Sequence, residues 1–225
     1  MPKRPQRRSP RLAKNARNAK RQAQAHDANT IAGLPSLIAL IEEILALLRG
    51  AAGSAPPKPL PPGSVGTEIP INPLVLQSLI TAAATQDNGG QQVWTHNGNE
   101  LLVLSGKVSV RLDDGFLLVL IPVACDQVGD AIIQVPFALG GKESPAGLVM
   151  ATEKRPRGPD AIVDLWSEPL IAYAWRLVMT IAMKVAGLSG TDLDGSGLIP
   201  ISLTASKDGL AVLPIARHTF DRVQS

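Results

Sequence analysis

The chain has 225 residues, 45% hydrophobic and 18% charged, a balance that supplies a buried core and excludes a chain disordered throughout. Its formal net charge of +3 hides a division: residues 1–21 carry nine Lys or Arg and no acid, leaving 13 bases against 19 acids, a balance of −6, for the rest. A single cysteine, Cys125, excludes an intramolecular disulfide and a thiolate metal site and fits a reducing compartment.

Residues 1–30 hold Lys3, Arg4, Arg7, Arg8, Arg11, Lys14, Arg17, Lys20 and Arg21 among Pro, Gln, Asn, Ser and Ala. Such a segment buries too little apolar surface to offset chain entropy, so it is expected to be a disordered arm. Its cations neutralise phosphates and release counterions, which gives affinity without sequence readout. No aromatic precedes Trp94, so base stacking is not available to the arm. Nucleic acid is the expected partner. The competing readings are a targeting address, nuclear or mitochondrial, and attraction to an anionic membrane surface.

An amphipathic helix is predicted over residues 31–50, after Pro35 in its first turn and with Gly50 as its stop. Leu34, Ile38, Ile41, Leu45 and Leu48 are spaced four, three, four, three as in a heptad seam, and mark a candidate oligomerisation face. Leu37, Leu40, Ile44 and Leu47 form a second seam beside it. A helix this apolar must pack, either on its own body or on copies of itself. Residues 51–73 hold seven prolines amid Gly, Ser and Ala and read as a linker.

The body is expected to span 74–225. It opens with a helix over Leu74–Ala84, followed by strands at Gln92–Thr95, Leu101–Leu104, Lys107–Leu112, Phe116–Val123, Ala131–Ala138, Gly147–Ala151, Ala161–Leu165, Leu198–Thr204 and Leu210–Ile215. Turn residues separate them, among them Asn97–Gly98 and Asp208–Gly209. The fold class is therefore mainly β with helices (α+β), an antiparallel sandwich or barrel. A long apolar helix is predicted over Glu168–Ala186, with Ser167 as cap, Pro169 in the first turn and Gly187 as stop. Arg176, Thr180 and Lys184 make one polar stripe on it; two charges argue against a membrane span.

Four further patterns carry both a functional and a plain structural reading. Asp194–Gly195–Ser196–Gly197 resembles the Gly-Asp-Ser-Gly turn of capsid serine proteases with the acid displaced, and His96 with Asp113 or Asp114 would complete a triad order; a plain turn explains it as well. Asp192, Asp194, Asp113, Asp114, Asp126 and Asp130 are acids that could hold calcium between subunits, but no closing Glu completes a calcium loop and solvated turn acids are the expectation. His26, His96 and His218 lack metal-ligand spacing, and Gly140–Gly141–Lys142 lacks the rest of a phosphate loop. No metal and no cofactor are expected.

The layout of Lys/Arg-rich arm, linker and strand-rich body of about 150 residues resembles the coat proteins of small positive-strand RNA viruses, such as the bromovirus and sobemovirus groups. The likeness covers the whole chain as architecture and rests on no motif. It implies a shell domain of viral jelly-roll form, an arm that packages RNA, many copies in a homo-oligomeric shell, no catalysis, and residence in the virion and the host cytoplasm. Two other classes stay open: a membrane-associated or organelle-targeted protein whose helix at 168–186 inserts, and a capsid serine protease using Ser196.

Overall fold

A computed structural model describes residues 35–52, 57–86, 92–140, 150–151 and 155–217. Residues 1–34 lie outside that set, and with them the whole predicted arm (1–30), all nine of its cations, and Leu34 of the predicted helix. The fold is α+β, with three helices and two antiparallel sheets among the described residues. In chain order the elements are α1 (Leu37–Ala52), β1 (Ile69–Ile71), α2 (Pro73–Gln86), β2 (Val93–His96), β3 (Asn99–Val103), a 3-10 turn (Ser105–Lys107), β4 (Ser109–Asp113), β5 (Phe116–Cys125), β6 (Gly129–Ala138), β7 (Met150–Ala151), α3 (Asp160–Ser189), β8 (Ile199–Ser206) and β9 (Gly209–Ile215).

The larger sheet runs β2-β3-β5-β6-β7, with β4 also paired to β5; the smaller runs β1-β9-β8. Asn97 and Gly98 both have positive φ (49° and 77°), as a tight Asn-Gly hairpin requires, and join β2 to β3 in the register His96↔Asn99. At one corner the sheets are stitched together. Gly140, just past β6, donates to Leu203 O (3.1 Å) and accepts from Ala205 N (2.7 Å), while Gly115 donates to Ala205 O (3.0 Å).

One face of each sheet packs on the helices. Along β5, Leu117, Val119, Ile121, Val123 and Cys125 are buried and join a single core with Leu203 and Ala205 of β8, Leu210 and Val212 of β9, and the inner sides of all three helices. Helix α3 is the centre of that core, burying among others Ile162, Trp166, Leu170, Leu177, Ile181 and Val185. Two aromatic pairs tie it to the large sheet: Tyr173 meets Trp94 edge-on at 6.1 Å, and Trp175 lies 6.1 Å from Phe137.

Four expectations need correction. The segment Ala161–Leu165 is helical, not a strand. Helix α3 begins at Asp160, so Ser167 is not its cap but an interior residue whose hydroxyl donates to Val163 O. Pro169 removes an N–H and crowds the carbonyl four residues earlier, and the chain bends just before it, at Trp166 (φ −128°, ψ 18°). The helix survives upstream of the bend because Ile162, Val163 and Trp166 are buried there. Neither Gly50 nor Gly187 ends its helix; the ends come at Ala52 and Ser189.

The third correction concerns the proline-rich linker. Residues 57–71 lie along the body: Leu60 N donates to Thr191 O (2.9 Å), Gly66 N to Pro214 O (2.8 Å), and β1 pairs with β9. Ile69 and Ile71 point inward and Pro70 outward, an edge-strand position that tolerates a residue with no N–H to give.

The fourth concerns α1. It buries Leu37, Ile41 and Leu45, with Leu40, Ile44 and Leu48 packed beside them, while Ile38 is 47% exposed. The buried stripe lies between the two heptad seams, as a straight helix on a globular core requires. Ile41 and Leu45 of the candidate oligomerisation set are thus spent on the chain's own core.

Gly209 supports the junction of β1 with the β8–β9 hairpin. Its φ is 152°, and a Cβ there would sit 2.2 Å from Ile71 O. Gly209→Ala is expected to destabilise the body by about 3 kcal/mol, seen as a Tm lower by about 6–12 °C at this chain length. An unchanged melting curve would show that β1 does not pack as described.

Candidate functional site

The structure bears on the arm through the place where the arm is rooted. Helix α1 starts with Ser36 as its cap, whose Oγ accepts from Ala39 N (3.0 Å) and whose carbonyl accepts from Leu40 N (3.0 Å). The next free donor, Leu37 N, is taken by Gln86 Oε1 (3.0 Å), and Gln86 Nε2 donates in turn to Pro35 O (3.3 Å). One side-chain amide at the end of α2 therefore holds two backbone groups of the residues that follow the arm. At the other end of α1, Arg49 Nη2 donates to Leu188 O (3.3 Å), placing a cation on a carbonyl of the last turn of α3. The helix next to the arm is pinned at both ends and buried along one side.

The opposite end of α2 is organised the same way. Asn72 caps it by accepting from Val75 N (2.9 Å), with Pro73 at the first helical position. Gln77 then donates through Nε2 to Val108 O (3.0 Å) and accepts at Oε1 from Val110 N (3.1 Å), occupying edge groups of β4. Neither glutamine was singled out from the sequence. Their contacts span 31 to 51 positions and no local spacing announces them.

The protease pattern is distributed over separate turns. Ser196 lies on the exposed turn before β8, where Asp192 Oδ1 accepts from Ser196 N (2.8 Å) and Asp194 N (3.1 Å). Asp192 therefore serves the turn. His96 ends β2 at the Asn97–Gly98 hairpin, and Asp113 ends β4, 3.6 Å from Lys207 Nζ. Cys125 is buried on the inner face of β5. Among the described residues no group of three or more His, Cys, Asp or Glu is arranged to hold a metal ion.

Helix α3 is long and apolar enough to cross a membrane, and one such helix is weak evidence by itself, since a core helix meets the same test. Here its apolar side chains are largely buried against both sheets and both other helices. Arg176 and Lys184 are exposed on its outer side, in line with the polar stripe read from the sequence. Near its start, Arg155 bridges Asp160 (2.6 Å) and Asp164 (2.7 Å), and these hydrogen bonds raise the guanidinium pKa above its ordinary value. An open groove of about 660 Å³ lies between α1, residues 57–70 and the end of α3, lined by Leu45, Leu48, Leu60, Ile69 and Leu198, with Arg49 and Lys58 beside them.

No family model, curated protein or solved structure matches the chain.

Removing the amide that roots the arm gives a direct check. Gln86→Ala is expected to cost about 1–2 kcal/mol, the net worth of two neutral hydrogen bonds, and to loosen α1 first, so limited proteolysis should cut within 35–50 several times faster while the sheets stay intact. Equal cleavage in both proteins would mean that apolar packing alone holds the helix.

Proposed function

We propose that this chain is a coat protein that packages RNA inside a shell of many copies of itself. The observation that carries the reading is the division of charge: nine cations and no acid in residues 1–21, and a balance of −6 over the remainder. A cationic arm attached to an acidic body attracts a polyanion at one end only. Lys3, Arg4, Arg7, Arg8, Arg11, Lys14, Arg17, Lys20 and Arg21 are assigned to phosphate contacts made without regard to base sequence.

The rooting of α1 supports this reading mechanically. An arm tied to a fixed point of the body delivers its bound RNA to one side of the subunit, whereas an arm on a loose linker would not. The reading needs no catalytic group, no cofactor and no membrane, and it places the protein in the virion and, during assembly, in the host cytoplasm. Nor does it need a jelly roll. The two sheets join mostly strands that are neighbours in sequence, and a shell subunit requires only faces through which copies bury apolar surface.

The test is a chain in which all nine arm cations are replaced by Gln, purified beside the native protein. The native protein is expected to yield uniform particles by negative-stain microscopy whose ultraviolet absorbance ratio shows nucleic acid; the variant should lose it. Affinity for single-stranded RNA should fall with salt at a log–log slope approaching about −6 if all nine cations engage. A native protein that stays small and free of nucleic acid would overturn the proposal, and partition into detergent would point to the membrane class instead.

A further inference from the structure

Strand β5, at the middle of the large sheet, breaks the rule for a sheet with one wet side. Such strands alternate apolar and polar residues, yet the outward positions of β5 are Phe116, Leu118, Leu120, Pro122 and Ala124, without one polar side chain. They lie opposite the buried positions and are exposed or half-buried. On the neighbouring strands the face is mixed: Ile132 on β6, in register with Pro122, is 57% exposed and Val93 on β2 is 42% exposed, Leu102 and Pro136 are buried, and Gln134 of β6 and Ser109, Arg111 and Asp113 of β4 are polar. Phe116 itself is 53% exposed. A run such as FLLVLIPVAC is the pattern of a strand covered on both faces, and here the helices cover one.

We propose that a second copy of this chain covers the other, sheet on sheet, about a two-fold axis that sets the β5 strands of the two copies antiparallel. Three observations select that occupant. The first is charge. Arg111 on β4, in register with Leu118, stands on this face near the Phe116 end; Glu100 on β3 and Asp130 on β6 stand on it near the Ala124 end. Asp113, also at the Phe116 end, is matched by Lys207 at 3.6 Å. A two-fold axis perpendicular to the strands reverses their direction and keeps each side of the sheet over itself, so Arg111 of each copy comes over the acidic end of the other.

The second is area. Strands β5 and β6 have ten residues each, about 34 Å long, and between two and four strands lie abreast along them, about 14 Å across on average, a flat area of about 480 Å². That is more than half of the roughly 800 Å² per partner of a standard stable interface, before the relief of the side chains is counted. The third is that Gln77 occupies edge groups of β4, which hinders growth of the sheet by edge pairing on that side and leaves the face for association.

The dimer goes beyond the packaging reading and does not require it. The experiment is sedimentation of the full-length protein in about 1 M salt, where phosphate contacts are screened and an apolar interface is not. The native chain is expected to sediment as a dimer. Ile132→Lys, at a position exposed enough to leave the subunit folded by circular dichroism, should weaken the dimer about a hundredfold or more, because the charge is buried twice without a partner. In the nine-Gln arm background at about 0.1 M salt, where ion pairs are less screened and RNA is not retained, Arg111→Glu should weaken it several-fold, and adding Glu100→Arg and Asp130→Arg to the same chain should restore it. A monomeric native chain, or a dimer indifferent to Ile132→Lys, would overturn the proposal; failure of the triple change to restore the dimer would overturn the antiparallel arrangement. The nine-Gln arm variant separates the two ideas: it should lose RNA and keep the dimer.

Discussion

The structure depends on keeping one helix dry. Helix α3 runs for 30 residues and carries apolar side chains around most of its circumference, so exposing it to water would cost far more than any single contact elsewhere could return. Both sheets, α1 and α2 are arranged around it. This explains why the fold has a helical layer against the inner faces of two sheets, and why the few aromatics are used where they are: four of the seven form the pairs that tie α3 to the large sheet.

Covering α3 also decides what the chain's first described helix does. Taken alone, Leu34, Ile38, Ile41, Leu45 and Leu48 could be a seam between copies. Against α3 and α2, α1 instead spends Leu37, Ile41 and Leu45 on the subunit's own core and is clamped by Gln86 and Arg49. The arm is thereby attached to a fixed base. The proposed dimer accordingly uses a surface that the core does not, the outer face of β5.

Much of this was legible in the residues. The hairpin at Asn97–Gly98, the apolar runs of β5 and β6 and the two hydrophobic helices follow from period and turn chemistry, and the α+β class follows from them. What local pattern could not show was set by distant partners. Ile69–Pro70–Ile71 is a strand only because β9 lies beside it, and Ala161–Leu165 is helical only because its apolar side chains meet the core upstream of the Pro169 bend. For the site, the nine cations were plain from composition, and they lie outside the described residues; Gln86 and Gln77 were invisible because each acts across the fold.

Helix α1 belongs to its own subunit's core, so the segment that precedes it starts from a fixed root. Amide hydrogen exchange on the full-length protein, with and without RNA, tests this most directly. Backbone amides of residues 37–50 should be protected to nearly the level of residues 170–186 in both states, with RNA changing only the arm. Rapid exchange across 37–50 in the free protein, slowed only when copies assemble on RNA, would contradict the account and return the helix to the space between subunits.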